Sequence, residues 1–220
     1  MKNYLLLLAG FLPLAAHAQF GVRAGIRSTQ WSSSTNGRYS ANYASTRQHL
    51  GYQVGLTYQL PLVGHLSLVP EVSYSYENFE LSASSYGYNG YSLVSQLKLS
   101  YLTLPVLERV TFGPVYAEVG PQLSLLVGGR ETGREFISRT SSSMMEVDRP
   151  AAERYHRLDV GVCAGLGVQL PMGLGLSLRF VQGINSLTKD YAADQLYGYD
   201  GEIRSRSLQA SLTYRLRKAS

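Results

Sequence analysis

The feature that most limits what this chain can become is a two-residue alternation sustained over unusually long segments. It is clearest in 158–170. Leu158, Val160, Val162, Ala164, Leu166, Val168 and Leu170 share one parity, while Asp159, Gly161, Cys163, Gly165, Gly167 and Gln169 share the other. A strand sends successive side chains to opposite faces, so this segment has one apolar face and one small or polar face. Pro171-Met172-Gly173 makes a turn. Leu174, Leu176, Leu178 and Phe180 then oppose Gly175, Ser177, Arg179 and Val181, and a closing run sets Leu208, Ala210, Leu212, Tyr214 and Leu216 against Ser207, Gln209, Ser211, Thr213 and Arg215. Runs of about 10 residues with charges and glycines on the second parity suit strands that meet lipid on one face and a polar lumen on the other.

The pattern starts early. In Phe20 to Ser28, Val22, Ala24 and Ile26 oppose Arg23, Gly25 and Arg27. In Leu50 to Leu60, Tyr52, Val54, Leu56 and Tyr58 oppose Gln53, Gly55, Thr57 and Gln59. Two more strands are expected in His65 to Phe79 and Ser92 to Val106, the latter ending at Leu104-Pro105 because proline interrupts a central ladder. Pro114 to Gly128 completes the set. The connections alternate. Thr29 to His49, Glu80 to Tyr91, Gly129 to Arg157 and Thr188 to Arg204 are long and polar, whereas Pro61 to Gly64, Glu108 to Gly113 and Pro171 to Gly173 are short. The expectation is an all-β, antiparallel up-and-down transmembrane β-barrel of about eight strands, with long extracellular loops and short periplasmic turns.

The amino terminus agrees with export. Met1-Lys2-Asn3 is a basic start, Tyr4 to Ala16 is apolar, and Ala16-His17-Ala18 is a small-x-small site. This reads as a secretory signal peptide over 1–18, cleaved after Ala18, followed by one barrel domain over 19–220. The apolar run is too short for a helical anchor, and no cysteine follows it to accept lipid. Composition supports the barrel: 17 Tyr and 22 Gly accompany only 16% charged residues. Cys163 is the sole cysteine, so no intramolecular disulfide can form. The net charge of +5 is modest and includes Lys2, which leaves nucleic-acid binding without support.

Alternation places seven charged residues on the lumenal parity: Arg23, Glu71, Lys98, Glu118, Asp159, Arg179 and Arg215. Unpaired charge in a narrow lumen is costly, so opposite signs should pair and plug an interior only wide enough for side chains. A conducting or proton path is the sharper alternative. His49 and His156 lie at junctions on the extracellular side, but no spacing identifies a catalytic triad and no third residue indicates a metal site. No enzyme activity, cofactor or metal is expected. Cys163 reads as a small packed residue. Trp31, Tyr39, Tyr43, Tyr86, Tyr88, Tyr91, Tyr191, Tyr197 and Tyr199 would be interfacial aromatics, or a rim that binds glycan or protein.

Several segments together resemble a known family. They are Gly21-Val22-Arg23-Ala24-Gly25, Tyr101-Leu102-Thr103-Leu104-Pro105-Val106, Val119-Gly120-Pro121-Gln122-Leu123-Ser124-Leu125-Leu126, Asp159-Val160-Gly161, Arg179-Phe180-Val181-Gln182-Gly183 and the closing strand Ser207 to Leu216. In this order they resemble the PorT-like outer-membrane β-barrels of Bacteroidetes, over nearly the whole mature chain. Such barrels commonly end on an aromatic residue, whereas here Leu216-Arg217-Lys218-Ala219-Ser220 follows Tyr214. The resemblance implies a fold and an outer-membrane location in a Gram-negative bacterium, and little about activity. The expected function is a structural or loop-mediated binding role around a side-chain-filled lumen. Partners would be outer-membrane lipid and an extracellular protein or glycan. The alternatives are a small transport or secretion-associated component and a soluble periplasmic barrel with an internal ligand.

Overall fold

A computed structural model describes residues 19–34, 42–48, 50–85, 91–137, 144–150, 155–187 and 202–216. The expected signal peptide lies outside them. Among the described residues, ten strands form one antiparallel sheet: β1 (Gln19–Ser34), β2 (Asn42–Gln48), β3 (Gly51–Pro61), β4 (Leu66–Ser85), β5 (Tyr91–Phe112), β6 (Val115–Ile137), β7 (Met144–Pro150), β8 (Leu158–Gln169), β9 (Leu174–Gly183) and β10 (Glu202–Arg215). Eight of them close a ring in the order β1-β3-β4-β5-β6-β8-β9-β10, and β10 returns to β1 from Gly21↔Arg215 to Ser34↔Glu202. The other two are additions: β2 pairs only the upper part of β4, and β7 only the upper part of β6.

The ring is inverted relative to a soluble protein. Outside lie Val54, Leu56, Val72, Val119, Leu166, Leu176, Leu178, Phe180 and Leu212, all exposed. Inside lie Arg23, Gln53, Thr57, Glu71, Ser73, Ser75, Glu118, Gln122, Arg179, Gln209 and Ser211, all buried. A soluble barrel with an internal ligand would need the opposite arrangement, which removes that alternative. On β4 the outward apolar row runs from Leu66 to Tyr76, and this length at a tilt of about 40° spans roughly 25 Å, the height of a transmembrane barrel's apolar band. Aromatics stand near its two ends, with Phe20 against Tyr58 (ring centroids 4.6 Å apart) at one and Tyr52 stacked on Tyr76 (5.2 Å) at the other.

The short connections close one end. Gly64 (φ 60°) and Gly113 (φ 58°) supply left-handed backbone in two of these turns, a conformation that glycine adopts without a Cβ clash. Leu216 N–H donates to Phe20 C=O (2.8 Å) at this same end. In an outer-membrane barrel this is the periplasmic end.

The structure corrects the expected loops. Parts of Thr29 to His49, Glu80 to Tyr91, Gly129 to Arg157 and Thr188 to Arg204 are paired strand, and β6 alone is 23 residues long. Such a strand measures roughly 75 Å, or about 55 Å along the barrel axis at that tilt, so some 30 Å of wall stands beyond the lipid band. Alternation does not announce this part, because its outer face meets water. The ladder between β5 and β6 shifts register at Ser100/Tyr101. Beyond this bulge, Leu97 and Leu99 point inward and Lys98 is exposed on the outside. Lys98 is therefore not lumenal: the apolar row Leu97, Leu99 and Tyr101 fills the interior instead of facing lipid, and Lys98 shares the outward parity of Leu104 and Val106. Pro105 likewise does not end its strand. The ladder to β4 passes from Val106 to Thr103, so no partner there requires its missing N–H.

Replacing Lys98 by Cys is expected to create a site that a membrane-impermeant maleimide labels on intact cells, while Leu178→Cys stays unlabelled. The reverse outcome would place the membrane boundary on the wrong side of the bulge.

Candidate functional site: charge layers and an apolar plug inside the barrel

The lumen is filled in layers. The central layer holds Arg23 on β1, Glu71 on β4, Arg109 on β5, Glu118 on β6 and Arg179 on β9, every one of them buried. Arg179 Nε donates to Glu118 Oε1 (2.6 Å) and Nη1 to Glu71 Oε2 (2.9 Å). Arg109 clasps the other Glu118 oxygen through Nε (3.1 Å) and Nη2 (2.8 Å). Arg23 lies 3.5 Å from Glu71 and donates to Ser177 Oγ (2.9 Å). Three guanidiniums thus share two carboxylates. The Tyr116 ring, 4.0 Å from the Arg109 guanidinium, offers its π face to the remaining positive charge.

Glycines let these side chains cross. Glu118 on β6, Gly165 on β8 and Arg179 on β9 lie in one lateral row. A Cβ at Gly165 would sit 2.7 Å from Arg179 Cγ, so Arg179 reaches Glu118 by passing over a residue that has no side chain. The next layer repeats the device. Arg27 on β1 pairs with Glu77 on β4 (3.2 Å), and Gly51 on the intervening β3 leaves the path open. Ser75 receives a hydrogen bond from Arg27 (2.9 Å).

Above these layers an apolar plug fills the extracellular half: Phe79, Leu97, Leu99, Tyr101 and Leu126, with Trp31 and Tyr155 packed against them. Trp31 is 4.7 Å from Phe79 and 5.4 Å from Tyr155, centroid to centroid. It was expected in an outer rim and instead fills the interior. The segment after β9 ties down this mouth. Asn185 accepts from Val160 N–H (2.7 Å) and donates to Leu158 C=O (2.7 Å), and His156 N–H donates to the carbonyl of buried Leu187 (2.8 Å).

Of the seven residues singled out by alternation, the structure joins Arg23, Glu71, Glu118 and Arg179. Asp159 stands apart, accepting from Ser205 Oγ (2.8 Å). Arg215 lies at the periplasmic end, donating to Gln19 Oε1 (3.4 Å). Lys98 is outside. Arg109, Arg27 and Glu77 belong to the layers but were not selected. Arg109 falls where a turn was expected, yet β5 runs on to Phe112. Cys163 is buried among Val69, Leu107 and Val181. His49, Tyr39, Tyr86, Tyr88, Tyr191, Tyr197 and Tyr199 lie outside the described residues, as do the side chains of Tyr43 and Tyr91. Among the described residues, no group of three His, Cys, Asp or Glu is placed to hold a metal ion.

A closed ring of eight antiparallel strands, apolar outside and ion-paired inside, defines a small transmembrane barrel. The chain belongs to the family described as "Outer membrane protein beta-barrel domain", whose model matches residues 14–189, and it is an outer-membrane protein. No curated protein sequence matches it. Among solved structures, the chain is similar to Neisserial surface protein A, at 16% identity over 90% of this chain and 99% of that one, with a TM-score of 0.48. It is also similar to Ail, the attachment invasion locus protein of Yersinia pestis, in complex with the heparin analogue sucrose octasulfate (9% identity, 90% and 99% covered, TM-score 0.47). A third is the outer membrane protein OprG from Pseudomonas aeruginosa (12% identity, 91% and 97% covered, TM-score 0.46).

Glu118→Ala strands two guanidiniums in the lumen and is expected to cost about 3–5 kcal/mol in urea unfolding from detergent. Gly165→Val should act in the same direction by displacing Arg179. Asp148→Asn, which breaks an exposed pair with Arg130, should leave the unfolding midpoint unchanged.

Proposed function

We propose that this protein is a non-conducting, non-enzymatic outer-membrane barrel whose working surface is the part of its wall that stands above the membrane. The observation that carries this reading is a mismatch of lengths. β4, β5 and β6 have 20, 22 and 23 residues, whereas about 9–11 suffice to span the bilayer. A strand surplus of this size has no use in anchoring. It supports a rigid sheet, widened by β2 and β7, that offers backbone-fixed side chains to the outside.

The outward face of this sheet supports a binding role. Val94, Gln96, Thr132, Arg134, Phe136, Glu146 and Asp148 line a concavity of about 730 Å³. It mixes two apolar contacts with hydrogen-bonding and charged groups, a combination that suits a polar macromolecule such as a glycan or an extended protein segment. The Arg130–Asp148 pair at its lower edge is bidentate, with both distances 2.6 Å, and those bonds hold the Asp148 carboxyl below its ordinary range. The interior supports the non-conducting half of the reading, since ion-paired layers and the apolar plug stand across it. The resemblance to PorT-like barrels is part of this proposal as a matter of lineage. A secretion role is not carried over with it.

The experiment is single-channel recording in planar bilayers, with ligand capture beside it. Purified protein should give no steady conductance. In glycan and envelope-protein arrays, wild type should retain a ligand that a Gln96→Ala, Thr132→Ala, Arg134→Ala triple variant loses. Stable channels in the wild type, or equal retention by the variant, would overturn the reading.

A further inference from the structure

The lumen is not electrically even from end to end. In its periplasmic half, four inward guanidiniums, on Arg23, Arg109, Arg179 and Arg215, face two carboxylates, on Glu71 and Glu118. The ion pairs of the central layer engage both carboxylates. Arg215 stands on the periplasmic side of that layer, where its Nη1 meets a neutral amide, Gln19 Oε1, at 3.4 Å. Arg109 directs Nε and Nη2 at Glu118, which leaves Nη1 with Gln59 Oε1, also at 3.4 Å.

Arg109 and Arg215 line one cleft of about 20 Å³ at the periplasmic mouth, together with Gln19, Gln59 and Gln169. Among the described residues, no Asp or Glu lines it. Gly175, on the inward parity of Ser177 and Arg179, keeps part of the wall clear: a Cβ there would meet nothing nearer than 3.5 Å. Two guanidinium forks with positive charge in excess suit an anion. The cleft sets its size. Roughly 10–15 Å³ takes the centre of one water, so this space seats one or two oxygen atoms. A planar carboxylate has two; a tetrahedral phosphate or sulfate has four. Gln19 and Gln169 each offer a donor and an acceptor, which a bare anion does not require and a peptide group does.

We propose that this cleft binds the terminal carboxylate of a peptide chain presented from the periplasm. One carboxylate oxygen accepts from Arg109 Nη1 and the other from the Arg215 guanidinium, while Gln19 and Gln169 bond the last peptide group. The occupant balances charge that Glu71 and Glu118 leave over. It does so beside a buried guanidinium, where salt screens less than at an open surface. The inference rests on the outer-membrane placement and not on what the extracellular sheet binds, so a failed capture experiment there would leave it standing.

The test is an NMR titration of the purified protein, isotope-labelled in its arginine side chains, in an uncharged maltoside detergent. N-acetyl-triglycine should shift the Arg109 and Arg215 signals and saturate with a Kd of about 1 mM. Its carboxy-terminal amide should shift neither. Arg215→Gln, whose folding is checked by the shift of its unboiled gel band, should weaken binding by about tenfold. Gly175→Val, which adds atoms to the cleft, should abolish it. Lys98→Gln removes a charge at the other end of the barrel and should leave binding unchanged. Equal binding of the amide would overturn the proposal, as would wild-type affinity in both Arg215→Gln and Gly175→Val. So would phosphate or acetate binding as tightly as N-acetyl-triglycine, which would mark a site for bare anions.

Discussion

Charge that has no water to turn to is the constraint on which the rest of this barrel depends. An eight-stranded ring encloses a space that side chains fill, so Arg179, Arg23 and Arg109 meet Glu71 and Glu118 there rather than solvent. Each must be matched within reach of its own strand position, and the matching sets requirements elsewhere. Gly165 and Gly51 are small because a guanidinium stem passes over each. Gly120 serves the apolar counterpart, leaving room beside Leu107 in the cluster that also holds Cys163. The glycines of the polar parity are thus part of the electrostatic design of the lumen.

The same strands obey two solvents. Within the lipid band they are apolar outside and ionic inside. Past the bulge at Ser100/Tyr101, water bathes the outside and the plug of Leu97, Leu99, Tyr101 and Phe79 occupies the inside. The backbone ladder continues through the change, because hydrogen bonding between strands is indifferent to which face is wet. The bulge resets the parity on β6, whose inward positions pass from Leu126 to Glu131. β5 itself keeps one parity, with Leu104 outward among lipid and Lys98 outward in water.

Much of this was legible from residue order. The alternation of 158–170 and its companions located every strand of the ring, and the alternation of long and short connections gave the orientation. It also put Arg23, Glu71, Glu118 and Arg179 on the lumenal side, where they are found. What was not legible traces to three causes. A two-residue period reports a contrast between faces and is silent where the contrast weakens, so β2, β7 and the upper ends of β4, β5 and β6 read as polar loops. A parity argument also takes the apolar row to face lipid, and above the membrane the row Leu97, Leu99 and Tyr101 faces the plug, which misplaced Lys98. Arg109 was missed for a third reason: the proline at 105 suggested a strand end, and the interrupted ladder that tolerates it cannot be seen without a partner strand. The one signal that could have found Arg27–Glu77 is the glycine at 51, spaced to sit between them on the intervening strand.

The closure of β1 on β10 has a consequence for how the molecule comes into being. Gly21 pairs with Arg215, and Phe20 C=O receives its bond from Leu216, so the ring joins the two far ends of the described chain. Every other neighbour in the ring can form locally, hairpin by hairpin. This seam is the contact of greatest sequence separation, and its loop-closure entropy is met only when the final strand arrives. Until then β1 presents an open edge with Arg23 and Arg27 beside it, and partly assembled ion layers have no walls to exclude water. Assembly of such a barrel is therefore governed by its last step: the seam, once joined, converts a row of marginal hairpins into a cylinder with no free edge within the bilayer.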